Sequence, residues 1–277
     1  MTIESRFGGL RKAALAVTIF SLLLAATGLV QIGFGAIAVS EEYARIEQVE
    51  EQTRQRTYYG YQRQQAAIEA EYRRSSGAFF SEGRFIPSDD RLSPDDPALL
   101  TGIAMVLSAL GFFVAAMIWV WRAHANLAKA GLRAKFTPAK AVASYLVPIV
   151  NLMLPFEAMR ELYNRSHGEN EDFAHAPVDD VTAWWTAVVI GLLLMSAMIV
   201  KFGFDAVSNL IIMTPLWMEF AILAFAIILL LAAASLFAGL ARKITAAQEE
   251  YLAGMAEDEP VAKAPRRMAV RSLGAEH

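Results

Sequence analysis

Uncharged runs long enough to cross a bilayer alternate along this chain with densely charged stretches. The four long runs are Ala13–Ser40, Pro97–Trp121, Val181–Val200 and Phe220–Ala241. A helix needs about 20 residues to cross a hydrocarbon core of ~30 Å, and each run meets that length. Backbone N–H and C=O groups find no water inside such a core, so each run is expected to be helical. A fifth run, Ala141–Phe156, is apolar but short, and it carries Pro148, Asn151 and Pro155. Its length and its prolines predict a break rather than a span. The expected fold is an all-α integral membrane protein with four transmembrane helices plus one proline-broken re-entrant or interfacial helix. The first run also has a reading as a secretory signal, with Arg11 and Lys12 ahead of it and Ala36-Ile37-Ala38 near its end. A signal's apolar region is about 7–15 residues, roughly half this length, which favours an uncleaved helix.

The charged stretches set the expected organisation and orientation. Residues 1–40 form a cytoplasmic N-terminus and the first helix, and 41–97 a charged, partly helical outer segment. Residues 98–241 form a membrane domain with its broken segment at 139–158, and 242–277 a cytoplasmic tail. The tail is rich in Ala, Pro and charge from about Met255 and is expected to be disordered. Basic residues mark the cytoplasmic flanks. Arg6, Arg11 and Lys12 precede the first helix, Arg122, Lys129, Arg133, Lys135 and Lys140 follow the second, and Arg242 and Lys243 follow the fourth. The outer segment instead holds eight basic and twelve acidic residues. Its stretch from Glu41 is rich in helix formers and is expected to prolong the first helix outward, as a partner-binding stalk or a solvated helix. Both termini and residues 122–180 are therefore expected in the cytoplasm of a multi-pass inner-membrane protein.

Composition removes several function classes. There is no cysteine, so disulfides, thiolate metal sites and thiol catalysis are excluded. A net charge of −3 gives no support to nucleic-acid binding. His167 and His175 lie in an acidic loop, but without regular ligand spacing, so no metal site is expected there. No phosphate-binding glycine motif, zinc-protease helix or nucleophile elbow occurs. No cofactor, metal ligand or catalytic residue is expected.

The most distinctive stretch is Trp119–Ser166. Trp119, Arg122 and Asn126 close the second helix, then come Thr137-Pro138, Pro148-Ile149, Asn151-Leu152, Pro155 and finally Glu161-Leu162-Tyr163. In order and spacing this resembles the bacterial membrane proteins grouped as domain of unknown function 4328, over roughly Leu99–Ala241. Tyr163 stands where that family's tryptophan is expected, and the Trp184-Trp185 pair also suits the pattern. The resemblance implies an architecture and no activity.

Trp119, Arg122 and Asn126, at i, i+3 and i+7, are expected on one helical face. One reading makes them a positive-inside anchor. A second pairs Arg122 with Glu161 while Asn126 or Asn151 satisfies backbone freed by Pro148 and Pro155. A third makes them a ligand site. Pro138 belongs to the same candidate network. Trp184 and Trp185 are expected as interface anchors, and Lys201 and Glu219 as outer-edge charges that pair, with Glu219 as an ion site the alternative. The functional expectation is a non-enzymatic scaffold, sensor or partner of an envelope complex. It would bind the lipid bilayer and an envelope protein or a second copy of itself. A small oligomeric transporter or channel using 141–156 is the alternative. Single cysteines test the topology: in intact cells an impermeant maleimide is expected to label Ser81→Cys and spare Ser272→Cys. Labelling of both would mean that 141–156 crosses the membrane.

Overall fold

The structure is a computed structural model that describes residues 3–54, 96–147, 153–207 and 214–258. Pro148 and Asn151 lie outside the described residues, as do most of the outer segment and the last part of the tail. Four long helices are present, α1 (Ile3–Arg54), α2 (Pro97–Lys129), α5 (Asp179–Val207) and α6 (Leu216–Asp258). Each contains a window long and apolar enough to cross a membrane. Two short helices, α3 (Pro138–Leu146) and α4 (Leu154–Ser166), stand between α2 and α5.

The long helices form an antiparallel row. α1 packs between α2 and α6, and α5 packs on the other side of α6. Lys243 of α6 meets Asp180 at the start of α5, and Arg122 near the end of α2 donates to the carbonyl of Gly9 in α1. These contacts put the start of α1, the end of α2, the start of α5 and the last turns of α6 at one end of the bundle, here termed the basic end. Because α2 arrives there and α5 leaves from there, the intervening chain does not cross, as its length and prolines predict. Its two described prolines, however, do not break a helix from within. Pro138 and Pro155 each occupy the first turn of a new helix, where a missing N–H costs nothing. Thr137 caps α3 by accepting from the Lys140 N–H.

Two ion pairs between α5 and α6 bracket the hydrocarbon region. Lys243–Asp180 lies at the basic end and Lys201–Glu219 at the far end. At ~1.5 Å per residue they stand about 32 Å apart along α5 and about 36 Å along α6, close to the ~30 Å apolar core of a bilayer. The Tyr43 hydroxyl accepts from the Trp217 N–H beside the far pair. Beyond Tyr43, α1 runs on to Arg54, so the first helix does continue past Glu41. Beyond Lys243, α6 runs on to Asp258. The expectation that the tail begins at 242 is corrected for 242–258, because Ile244, Thr245 and Gln248 are buried and hold that stretch in the helix.

Packing is concentrated at the basic end. Leu10 and Val17 of α1, Trp119, Ala123 and Leu127 of α2, and Ala141 of α3 meet there with Met159 and Leu162 of α4, Trp184 of α5, and Phe237, Leu240 and Ile244 of α6. A smaller cluster near the far end joins Met198, Leu223, Ile227 and Leu231. α1 and α6 approach closely at Gly28, where a Cβ would lie 2.9 Å from the Leu231 side chain. Leu22, Leu107, Leu110 and Leu193 face outward, as a lipid solvent requires.

Candidate functional site

The apolar stripe of α6 that contains Phe237, Ala241 and Ile244 ends on Gln248, and all four are buried. The Gln248 carboxamide sits where α2, α4 and α6 meet. Its Nε2 donates to the Ala123 carbonyl of α2 at 3.1 Å and to Ser166 Oγ of α4 at 3.0 Å. Its Oε1 accepts from Asn126 Nδ2 at 3.4 Å. Both amide hydrogens are thus used, one on each neighbouring helix. Ser166 passes its own hydrogen to the Leu162 carbonyl at 2.6 Å. One turn earlier on α6, Thr245 Oγ1 accepts from Trp119 Nε1 at 3.1 Å and donates to the Ala241 carbonyl at 2.6 Å.

Around this clamp, buried polar side chains of α4 organise the flanking loops. The Glu161 carboxylate accepts from the backbone N–H groups of Lys135 at 2.6 Å and Phe136 at 3.0 Å, fixing the α2–α3 connection. Asn164 Nδ2 donates to the carbonyls of Ala174 and Ala176, and Arg165 donates to that of Glu169. Gly168, at φ +84°, turns the chain out of α4, and a Cβ there would lie 3.0 Å from the Tyr251 ring.

The predicted residues are redistributed by this geometry. Trp119 and Asn126 do share a face, but it points at α6 rather than at lipid or headgroups. Trp119 is fully buried and meets the Phe237 ring edge to face at 5.6 Å. Arg122 is rotated about 60° from Trp119 and about 40° from Asn126 at ~100° per residue, and reaches α1. It does not pair with Glu161, which lies against the α2–α3 connection. Trp184 packs on Phe237 inside the bundle and is no interface anchor, whereas Trp185 is half-buried. Lys201 and Glu219 pair at 2.6 Å, both buried, and Glu219 also accepts from the Thr214 hydroxyl.

The family model described as domain of unknown function (DUF4328) matches residues 93–249. That is more than half of the chain. The chain belongs to the DUF4328 family. No curated protein and no solved structure matches. The matched region of this DUF4328 protein runs from just before α2 to just past Gln248, so it encloses the whole clamp. It leaves out α1, which nonetheless fills the space between α2 and α6.

Two features of the DUF4328 protein escaped the sequence reading. Gln248 sits in the polar-looking run Ala246-Ala247-Gln248-Glu249-Glu250. Its one signal is that it continues the spacing Phe237, Ala241, Ile244. Gln31, within the first span, is completely buried, and neither its amide nitrogen nor its oxygen has a hydrogen-bond partner.

At the surface of the basic end, a cavity of about 510 Å³ is lined by Arg133, Lys135, Glu161, Glu171, Ala174 and His175. Lys135 also pairs with Glu157 at 3.0 Å on the open surface, and this hydrogen bond holds the Glu157 carboxyl below its usual range. The two carboxylates differ in what they hold. Glu161→Gln places an NH₂ against a backbone donor and is expected to destabilise the protein by about 2 kcal/mol in a micellar thermal melt. Glu157→Gln is expected to leave that melt nearly unchanged at neutral pH, because exposed ion pairs contribute little. The depressed Glu157 carboxyl contributes only above the ordinary carboxylate range, and that small contribution fades as the pH falls through its lowered value. Equal losses from the two variants would contradict the role given to Glu161.

Proposed function

We propose that this DUF4328 protein is a non-enzymatic bacterial inner-membrane protein, serving as a scaffold, sensor or partner within an envelope complex. The observation that carries the reading is the α1–α6 pair. α1 continues past the far ion pair to Arg54, and α6 continues past the Lys243–Asp180 pair to Asp258. Two antiparallel helices locked along the span thus prolong the bundle on opposite faces of the membrane. The buried polar groups of the basic end support the same reading. Glu161, Asn164, Ser166 and Gln248 are committed to hydrogen bonds that join helices or fix loops.

The exposed cations Arg11, Lys12, Arg122, Lys129, Lys140, Arg242 and Lys243 favour a cytoplasmic basic end. In that orientation the outer extension of α1 faces the envelope. The partner is an envelope protein or a second copy of the chain. A small oligomeric transporter or channel is the second reading, favoured by the unpartnered Gln31 amide, since polar groups inside a span often mark a pathway.

A photo-crosslinking residue in place of Glu47, exposed on the α1 extension, is expected to give one discrete adduct in intact cells. The purified protein in liposomes is expected to move no solute above the rate of empty vesicles. Solute uptake by those liposomes would overturn the scaffold reading in favour of the transporter.

A further inference from the structure

On its lipid-facing side near the basic end, α6 carries a groove of about 430 Å³. It is lined by Ala232, Ser235, Leu236, Gly239 and Leu240, with Asp180 and Lys243 at one end. The floor is low because its residues are small, and a Cβ built on Gly239 meets nothing within 4 Å. Its hydroxyl is not offered to a ligand, since Ser235 Oγ donates back to the Leu231 carbonyl at 3.0 Å. The body of the groove is therefore apolar and its mouth is charged. The mouth also coincides with the ion pair that marks the basic edge of the hydrocarbon region.

An ammonium has three donors, and Asp180 accepts one of those of Lys243. The Lys243 side chain is 57% exposed, so its remaining donors face the headgroup layer. Arg242, beside it, is also exposed. Basic pockets between membrane helices at this depth suit anionic lipid headgroups. A second copy of α6 is a poorer occupant. Small residues do let helices approach, but a two-fold contact along this face would bring two Arg242–Lys243 pairs together. We propose that the groove seats one acyl chain of an anionic phospholipid whose phosphate is held by Lys243.

Full-length protein purified in detergent is offered phosphatidylglycerol and phosphatidylcholine of identical chains, and retained lipid is read by native mass spectrometry. The wild type is expected to retain phosphatidylglycerol about fivefold better, the preference that one interfacial cation supplies. Lys243→Gln is expected to remove the preference. Gly239→Leu, whose Cβ has open space and whose side chain enters the groove, is expected to lower retention of both lipids. Thermal melts check that each variant is folded. Equal retention of the two lipids by the wild type, or an undiminished preference in Lys243→Gln, would overturn the proposal. So would an interchain disulfide formed in membranes by Ser235→Cys, in a chain that otherwise has no cysteine, because a second copy would then cover the groove.

Discussion

Gln248 joins three helices and is completely buried among them, so no water replaces a missing partner. Its two amide hydrogens reach the Ala123 carbonyl of α2 and the Ser166 hydroxyl of α4, while its oxygen takes the Asn126 amide. Between apolar helix faces, packing alone leaves rotation and sliding loosely specified, since lipid tails are as apolar as leucine. A carboxamide with fixed donors and an acceptor specifies one register of α2, α4 and α6. The Trp119–Thr245 bond one turn away reinforces that register, and Glu161 and Asn164 then tie the connecting loops to α4. Losing one partner leaves a buried polar group unpaired, which costs more than the bond itself contributes.

This makes the bundle asymmetric. The basic end combines the large apolar core with the polar clamp and the two short helices. Toward the far end, the described helices hold a smaller cluster, the Lys201–Glu219 pair and the unpartnered Gln31. The DUF4328 match contains every residue of the clamp, together with the far-end pair on α5 and α6, and leaves α1 outside. α1 instead adds a long strut, tied to α6 by the close approach at Gly28 and by Arg11–Glu249 at 2.6 Å.

Much of the fold was legible because lipid imposes a strong and simple rule. The uncharged runs fall inside α1, α2, α5 and α6, and the short proline-bearing run separates into α3 and α4 without crossing. What the sequence left open was the direction of side chains. Arg122 and Trp119 stand only three positions apart, yet they face α1 and α6 respectively, and nothing in their spacing says which neighbour lies where. The Arg122–Glu161 pairing failed for that reason: opposite charge was visible, but the α2–α3 connection that occupies Glu161 was not. Trp184 reads as an interface anchor from its place at a helix start, until Phe237 is found packed against it. Gln248 was hidden by composition, since Gln next to Glu249 and Glu250 looks solvated unless the stripe ending on it is followed.

The account rests on the clamp being energetically coupled rather than a set of adjacent contacts. A double-mutant cycle between Gln248→Leu and Ser166→Ala, measured by unfolding in micelles, tests this most directly. The account predicts a coupling of about 1 kcal/mol, within the range of hydrogen bonds between membrane helices. Effects that simply add, to within about 0.3 kcal/mol, would show that α4 and α6 are held by packing alone and that Gln248 does not set their register.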